Sequence, residues 1–255
     1  LYKSAWAIAQ AGNRGVAAKL LTDFINDFPK DPRICEALTL RGDMYAKTKK
    51  EAEALMDFDR VIARWPKAES AAAAWQRAAQ IYAGRQDMAN RAKYYEGLIQ
   101  NFPKASPAAL AEAHFLLGRA AFDQGDFKSS IIHMAEAKTL DPQKYGEQVN
   151  VLSVLSYHKL QDVNKLKEAL ETLQKENPSA VARVPDVIPA WLGLQAYGMK
   201  DLETADKYMT WATQNDQLQN VKKVIWRNLA KVRLALRKYD RALVASNNFL
   251  KDEDQ

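Results

Sequence analysis

The chain has 255 residues, a formal net charge of +6, and 47% hydrophobic against 27% charged side chains, a balance that excludes a disordered or collagen-like polymer and requires a folded core. No run of about 18 apolar residues occurs, which excludes a membrane-spanning helix, and the single cysteine, Cys35, excludes an internal disulfide. The start, Leu1-Tyr2-Lys3, has neither an initiator methionine nor the basic, apolar and small-residue regions of a secretion signal, so the chain reads as a processed product or a fragment.

From the N-terminus the sequence is a succession of helical stretches separated by turn residues. Pro29, Pro66 and Pro103 stand 37 residues apart, each after an aromatic residue and before a lysine: Phe28-Pro29-Lys30, Trp65-Pro66-Lys67 and Phe102-Pro103-Lys104. Proline lacks the N–H a continuing helix needs and pushes its predecessor out of helical geometry, so each motif ends a helix at a fixed place. The aromatic is then expected to cover the apolar gap where one unit turns into the next. Inside the preceding helices runs a column of mostly small residues, Ala5, Gly42, Ala79, Gly118, Val154, Gly193 and Ala230, at gaps of 37, 37, 39, 36, 39 and 37. A parallel column twelve residues on reads Ala17, Ala54, Arg91, Ser130, Leu166, Ala205 and Ala242. Turn signals such as Gly12-Asn13-Arg14-Gly15, Gln124-Gly125-Asp126-Phe127 and Gly198-Met199-Lys200-Asp201 lie between the columns. Each unit is therefore two antiparallel helices that approach closely where side chains are short. The predicted units are approximately 1–29, 33–66, 70–103, 109–142, 146–178, 186–216 and 221–255, in a single domain over 1–255. The first unit starts inside a helix and the last has only reached its closing position, which again predicts a piece of a longer protein.

The arrangement of a bulky residue, a small residue four later, an aromatic three beyond, then alanine and a closing proline resembles the tetratricopeptide repeat. The clearest copies are Leu38, Gly42, Tyr45, Ala54, Phe58, Pro66; Trp75, Ala79, Tyr82, Tyr95, Pro103; His114, Leu117, Gly118, Met134, Ala137, Pro142; and Trp226, Leu229, Ala230, Ala242. Arg91 stands where alanine is preferred, Asn150 and Val154 weaken the fifth unit, and Pro189 takes the bulky position of the sixth, so the fifth and sixth units are expected to bend or shift register. The resemblance implies an all-α, right-handed superhelical solenoid. The Pro-Lys-Ala spacing is also similar to repeats in bacterial envelope lipoproteins of the outer-membrane assembly and Tol–Pal systems. That implies a periplasmic or outer-membrane-associated location, with cytoplasm as the alternative.

No catalytic constellation stands out: His114, His133 and His158 read as packing or surface residues, and there is no His-Glu-x-x-His, no paired cysteine and no phosphate loop. Carboxylate pairs such as Asp57 and Asp59 read as solvated surface. No cofactor, metal or small-molecule substrate is expected. The resemblance instead implies a concave groove lined by the first helix of every unit. Its lining would include Tyr2, Trp6, Thr39, Asp43, Gln76, Gln80, Phe115, Arg119 and Phe122 in the first half, with Glu36 and Glu112 on the rim. In the second half it would include Val151, Leu155, His158, Leu194, Tyr197, Arg227, Lys231 and Leu234. A residue such as Asp206 would face outward, away from the groove. The expected partner is another protein or a peptide, bound by a non-enzymatic scaffold.

The charge is uneven. From Gln217 onward nine Lys or Arg face four acids, so most of the excess belongs to the last unit. This permits a second reading, a nucleic-acid-associated repeat protein whose last unit tracks phosphates. Its aromatics lie far in sequence from its cations, which disfavours that reading. A third is the docking domain of a larger enzyme.

Overall fold

A computed structural model describes residues 1–214 and 219–251. Among them are fourteen α-helices and no strand. The helices α1 (Tyr2–Gln10), α2 (Arg14–Asp27), α3 (Ile34–Lys47), α4 (Glu51–Arg64), α5 (Glu69–Gly84), α6 (Met88–Asn101), α7 (Pro107–Asp123) and α8 (Phe127–Leu140) pack as consecutive pairs. They are followed by α9 (Pro142–Lys159), α10 (Val163–Glu176), a 3-10 segment Pro178–Arg183, and then α11 (Val187–Gly198), α12 (Leu202–Ala212), α13 (Gln219–Ala235) and α14 (Tyr239–Lys251). The chain divides into two compact units, Leu1–Tyr145 and Gly146–Gln255. Each is a stack of helical hairpins, and the fold is an all-α repeat solenoid. No described helix is long and apolar enough to cross a membrane.

Every hairpin turn is made the same way. One residue in each adopts a left-handed backbone: Gly12, Lys49, Gln86, Gly125, Gln161, Lys200 and Arg237, with φ between 55° and 88°. Their spacing repeats the 37, 37, 39, 36, 39, 37 rhythm of the small-residue columns. The left-handed residue and its successor donate N–H groups back to the last turn of the first helix, as in Gln86 to the Ala83 carbonyl and Asp87 to the Tyr82 carbonyl. Those bonds satisfy carbonyls that the helix end leaves open. In five of the hairpins the successor then caps the second helix, whereas Lys50 at the head of α4 makes no side-chain cap. Asn13, Asp87, Asp126, Asp162 and Asp201 each accept a hydrogen bond from the N–H three residues on, a cap that stabilises by about 1 kcal/mol.

The turns between hairpins also repeat. Phe28, Trp65 and Phe102 have φ/ψ of −128/57, −131/55 and −131/60, outside the helical region as the following proline demands. Trp65 and Phe102 are half-buried against the core, whereas Phe28, expected to cover a gap, is half exposed, its ring tilted by 33° to that of Phe24 with centroids 5.7 Å apart.

Small residues sit where helices approach most closely. Ala5, Ala17, Ala54, Ala79, Ala137 and Ala205 are fully buried. At Gly42 an added Cβ would stand 2.6 Å from the ring of Phe58, and at Gly193 it would stand 2.7 Å from the Met209 side chain and 2.9 Å from its backbone nitrogen. Overpacking of this kind costs roughly 1 to 3 kcal/mol. Among the described residues, the core of the first unit is a large cluster running from Ala5 to Leu117 beside a small one of Ala17, Ala18 and Met44, while the second unit holds clusters around Leu166, Leu170 and Leu192 and around Met209, Ile225 and Leu229.

Candidate functional site

In the first unit, the first helices of successive hairpins are joined by polar contacts about one repeat apart. Tyr2 on α1 donates to Glu36 on α3 at 3.0 Å, Arg77 on α5 pairs with Asp43 on α3 at 3.2 Å, and Gln76 and Gln80 donate to Glu112 on α7 at 2.8 and 3.3 Å. Tyr95 on α6 donates to the same carboxylate at 3.1 Å. Burial and the adjacent Glu112 charge push the Tyr95 phenol well above its usual range, so it stays a donor. Glu112 is therefore a half-buried acceptor of three donors, a hub that the sequence reading had placed on a rim. Phe115 stacks on Tyr145 with ring centroids 4.6 Å apart, and Phe122 meets Phe127 edge-on at 5.4 Å. Arg119 is exposed and pairs with Asp123 one turn on, at 3.1 Å. Trp6 is 53% exposed.

In the second unit, Val151 and Leu155 are half-buried against the cluster around Leu166, and His158 meets Trp191 edge-on at 5.4 Å. Burial lowers the His158 pKa, which favours a neutral ring. Leu194 and Tyr197 pack against the neighbouring cluster. Arg227, Lys231 and Leu234 fall four and three residues apart on α13 and are all exposed, so they share one helix face. Ala230, Lys231 and Leu234 border an open apolar cleft of about 350 Å³ with Tyr239, Ala242, Leu243 and Ser246.

Several polar residues differ from the sequence reading. Asp206, expected to face outward, is 6% exposed. It accepts from Arg233 at 2.8 Å and from Lys238 at 2.9 Å, and Arg233 also donates to Thr210 at 2.8 Å. Burial alone would raise the Asp206 pKa, but the Arg233 and Lys238 hydrogen bonds outweigh it and hold the carboxyl below its usual range. Asp57, read as solvated, is 4% exposed and bound bidentately by Arg41 at 2.6 and 2.8 Å. His114 and His133, read as packing or surface residues, bring their Nδ1 atoms to 3.1 Å across the α7–α8 hairpin. One ring must donate and the other accept, so the pair as it stands cannot be doubly protonated. Partners 16, 19 and 27 residues apart follow no repeat spacing, and residue type alone does not reveal them.

The comparisons agree with this architecture. A family model described as "Tetratricopeptide repeat" matches residues 2–69 and 108–145. Those two stretches carry tetratricopeptide repeats. Similar solved structures include a tetratricopeptide repeat protein from Parabacteroides merdae, at 14% identity and a TM-score of 0.53 over 99% of this chain and 91% of that one. MamA of AMB-1 is similar at 20% identity and a TM-score of 0.51, covering 69% of this chain and 88% of that one. A chain of the Naa15/Naa10 structure bound to HypK-THB is similar at 13% identity and a TM-score of 0.56, over 98% of this chain and 36% of that one. Likenesses at these identities describe the fold. A search of curated proteins finds no match.

Proposed function

We propose that this tetratricopeptide-repeat chain is a non-enzymatic scaffold that holds a protein or peptide partner against the inner faces of its first helices. One observation carries the reading. On α13 the exposed cations Arg227 and Lys231 have no carboxylate within ion-pair distance among the described residues, and Lys231 borders an apolar cleft between α13 and α14 whose walls include Leu234, 59% exposed, Tyr239, 62%, and Leu243, 63%. Exposed apolar surface rimmed by unpaired charge is the usual mark of a protein contact. The contact residues of this reading are Val151, Leu155, His158, Leu194, Tyr197, Arg227, Lys231 and Leu234 in the second unit. In the first unit they are Tyr2, Trp6, Phe115, Arg119 and Phe122. In support, a similar fold occurs in the Naa15/Naa10 complex bound to HypK-THB.

The nucleic-acid alternative is weakened by the ion pairs. Two cations of the basic last unit, Arg233 and Lys238, are already neutralised by Asp206 and Glu203, leaving fewer to release counterions from phosphates. The similarity of the loop spacing to envelope repeats supports placing such a complex in a bacterial envelope.

The test is a photo-crosslinking amino acid at Leu234, with a control at exposed Lys175 on α10, in the cells that make the protein. A discrete protein adduct at Leu234 and none at Lys175 is the expected result. Equal adducts at both positions, or crosslinks to nucleic acid alone, would overturn the reading.

A further inference from the structure

Two clefts of the first unit occupy equivalent places two repeats apart. The first, about 290 Å³, lies among Tyr2, Phe24, Phe28, Asp31 and Arg33. The second, about 590 Å³, includes Gln76, Leu98, Phe102 and Ala105, each 74 residues beyond its counterpart. In the first copy the space is filled from within. Arg33 is locked to Asp31 at 2.7 Å and lies over the rings of Tyr2 and Phe24 at 5.6 and 5.4 Å. In the second copy Gln76 replaces the tyrosine, Leu98 the phenylalanine, Ala105 the aspartate and Pro107 the arginine, so ring, plug and anchor are all missing. The junction of the second copy is thereby left open, with Lys67, Glu69, Ala72 and Ala73, which have no counterparts within this sequence, on its other wall.

The opened cleft has a definite chemical character. Ala72, Ala73, Leu98 and Ala109 give it an apolar floor, and Lys67 and Lys104 stand at its mouth. These two lysines come from successive copies of the aromatic-Pro-Lys turn, are exposed, and have no carboxylate within ion-pair distance among the described residues. Glu69 is the one acid lining the cleft. The positive end of α7, capped by Ser106, faces the same side and adds to the field. Two unpaired cations flanking an apolar recess are complementary to a segment that has an aliphatic side chain between carboxylates.

We propose that this cleft is a second docking site, which takes an extended acidic segment of a partner protein, seats one aliphatic side chain against Ala73 and Phe102, and pairs its carboxylates with Lys67 and Lys104. The site uses the loop edge of the first unit rather than the contact residues proposed above, so either reading can fail alone. In this light the aromatic-Pro-Lys motif has two uses: its proline ends the helix, and its lysine remains free for a ligand.

The experiment is selection of random peptides displayed on phage against the purified chain, followed by synthesis of the enriched sequence and titration by fluorescence anisotropy. Enriched peptides should carry an aliphatic residue flanked by Asp or Glu. Affinity should fall at least tenfold in Lys67→Glu/Lys104→Glu. It should fall similarly in Ala73→Trp, which fills the recess without changing charge; circular dichroism checks that both variants stay folded. A Trp6→Ala/Arg119→Glu/Lys231→Glu variant, altered only at contact residues of the other reading, should bind the peptide unchanged. The proposal is overturned by no enrichment, by peptides whose affinity survives both cleft variants, or by loss in the charge variant alone with full competition by heparin, which would mean a generic polyanion surface. Concentration-dependent dimerisation abolished by Ala73→Trp would assign the cleft to a second copy and overturn it equally.

Discussion

Removing the carboxylate of Asp206 should destabilise the second unit far more than removing any surface acid. Asp206 and Arg233 side chains are each 9% exposed, and Arg233 would be left with only Thr210 and the Arg241 carbonyl as partners. A buried charge deprived of its counter-ion costs about 3 to 5 kcal/mol, so Asp206→Ala should lie in that range. Arg233→Met should cost less, about 1.5 to 3 kcal/mol for a charged hydrogen bond, because Lys238 still neutralises Asp206. The double variant Asp206→Leu/Arg233→Met should recover most of the loss, since an apolar pair of similar volume replaces a desolvated one at little net cost. Hydrogen exchange read by mass spectrometry on peptides from α12 and α13 gives the opening free energies directly. The exposed pair Arg119–Asp123, with side chains 54% and 57% exposed, supplies the contrast. Its removal should change stability by less than about 0.5 kcal/mol. Because the Asp206 pKa is lowered on folding, its contribution is present above the unfolded carboxylate value and disappears as the pH falls through the folded one. An Asp206→Ala loss no larger than that of the exposed pair would refute the claim that this network is desolvated.

Two further outcomes follow from the turns and from the histidine pair. Gln86 holds a left-handed conformation, φ 58°, at the position where Gly12 and Gly125 stand in other hairpins. Gln86→Gly should therefore raise the urea midpoint, with a gain of up to about 1 kcal/mol as the strain of a side chain in that region is relieved. Burial lowers the pKa of His114, aided by the neighbouring His133, and burial likewise lowers that of His133 against the opposing pull of Glu96 and Glu136. The unfolded chain then binds more protons than the folded one, so stability should decline as pH falls below about 6.5 and level off beneath the folded pKa values. Urea titrations from pH 8 to pH 5 should show this slope in the wild type and a shallower one in His133→Gln.

Much of the hairpin architecture is legible because repetition lets one weak signal confirm another. A single Gly-Asn or Gly-Asp is an ordinary turn dipeptide. When Lys49, Gln86, Gln161, Lys200 and Arg237 share its place, seven chains of local geometry coincide although only two carry the glycine. The aspartate after the left-handed residue was a further signal available in the sequence, since it closes one helix and caps the next. Side-chain pairing was not legible in the same way. The contacts Tyr94–Asp59, Arg85–Glu51, Lys207–Glu171 and Lys238–Glu203 all join residues 34 to 36 apart, but the period only identifies which residues are neighbours, and rotamer and burial decide which of them meet. Asp57 and Asp206 show the consequence. Each sits on a second helix among alternating polar positions, each is buried, and the cation that makes this tolerable comes from the helix before it in one case and the helix after it in the other.

The unequal clefts show why a repeat protein can acquire a site without changing its fold. Backbone geometry at each junction is set by the proline at its edge, Pro103 in the second copy, and by the left-handed turn and the small-residue contact away from the recess. Side chains there are free to vary: Tyr2, Phe24 and Arg33 fill one junction, while Gln76, Leu98 and Pro107 leave another open. Filling the first stabilises the stack by burying ring surface, at roughly 25 cal/mol per Å². Leaving the second open forgoes that gain at a junction flanked by two free lysines. A vacancy that costs stability and coincides with unpaired charge is the pattern expected where a ligand supplies the missing contacts.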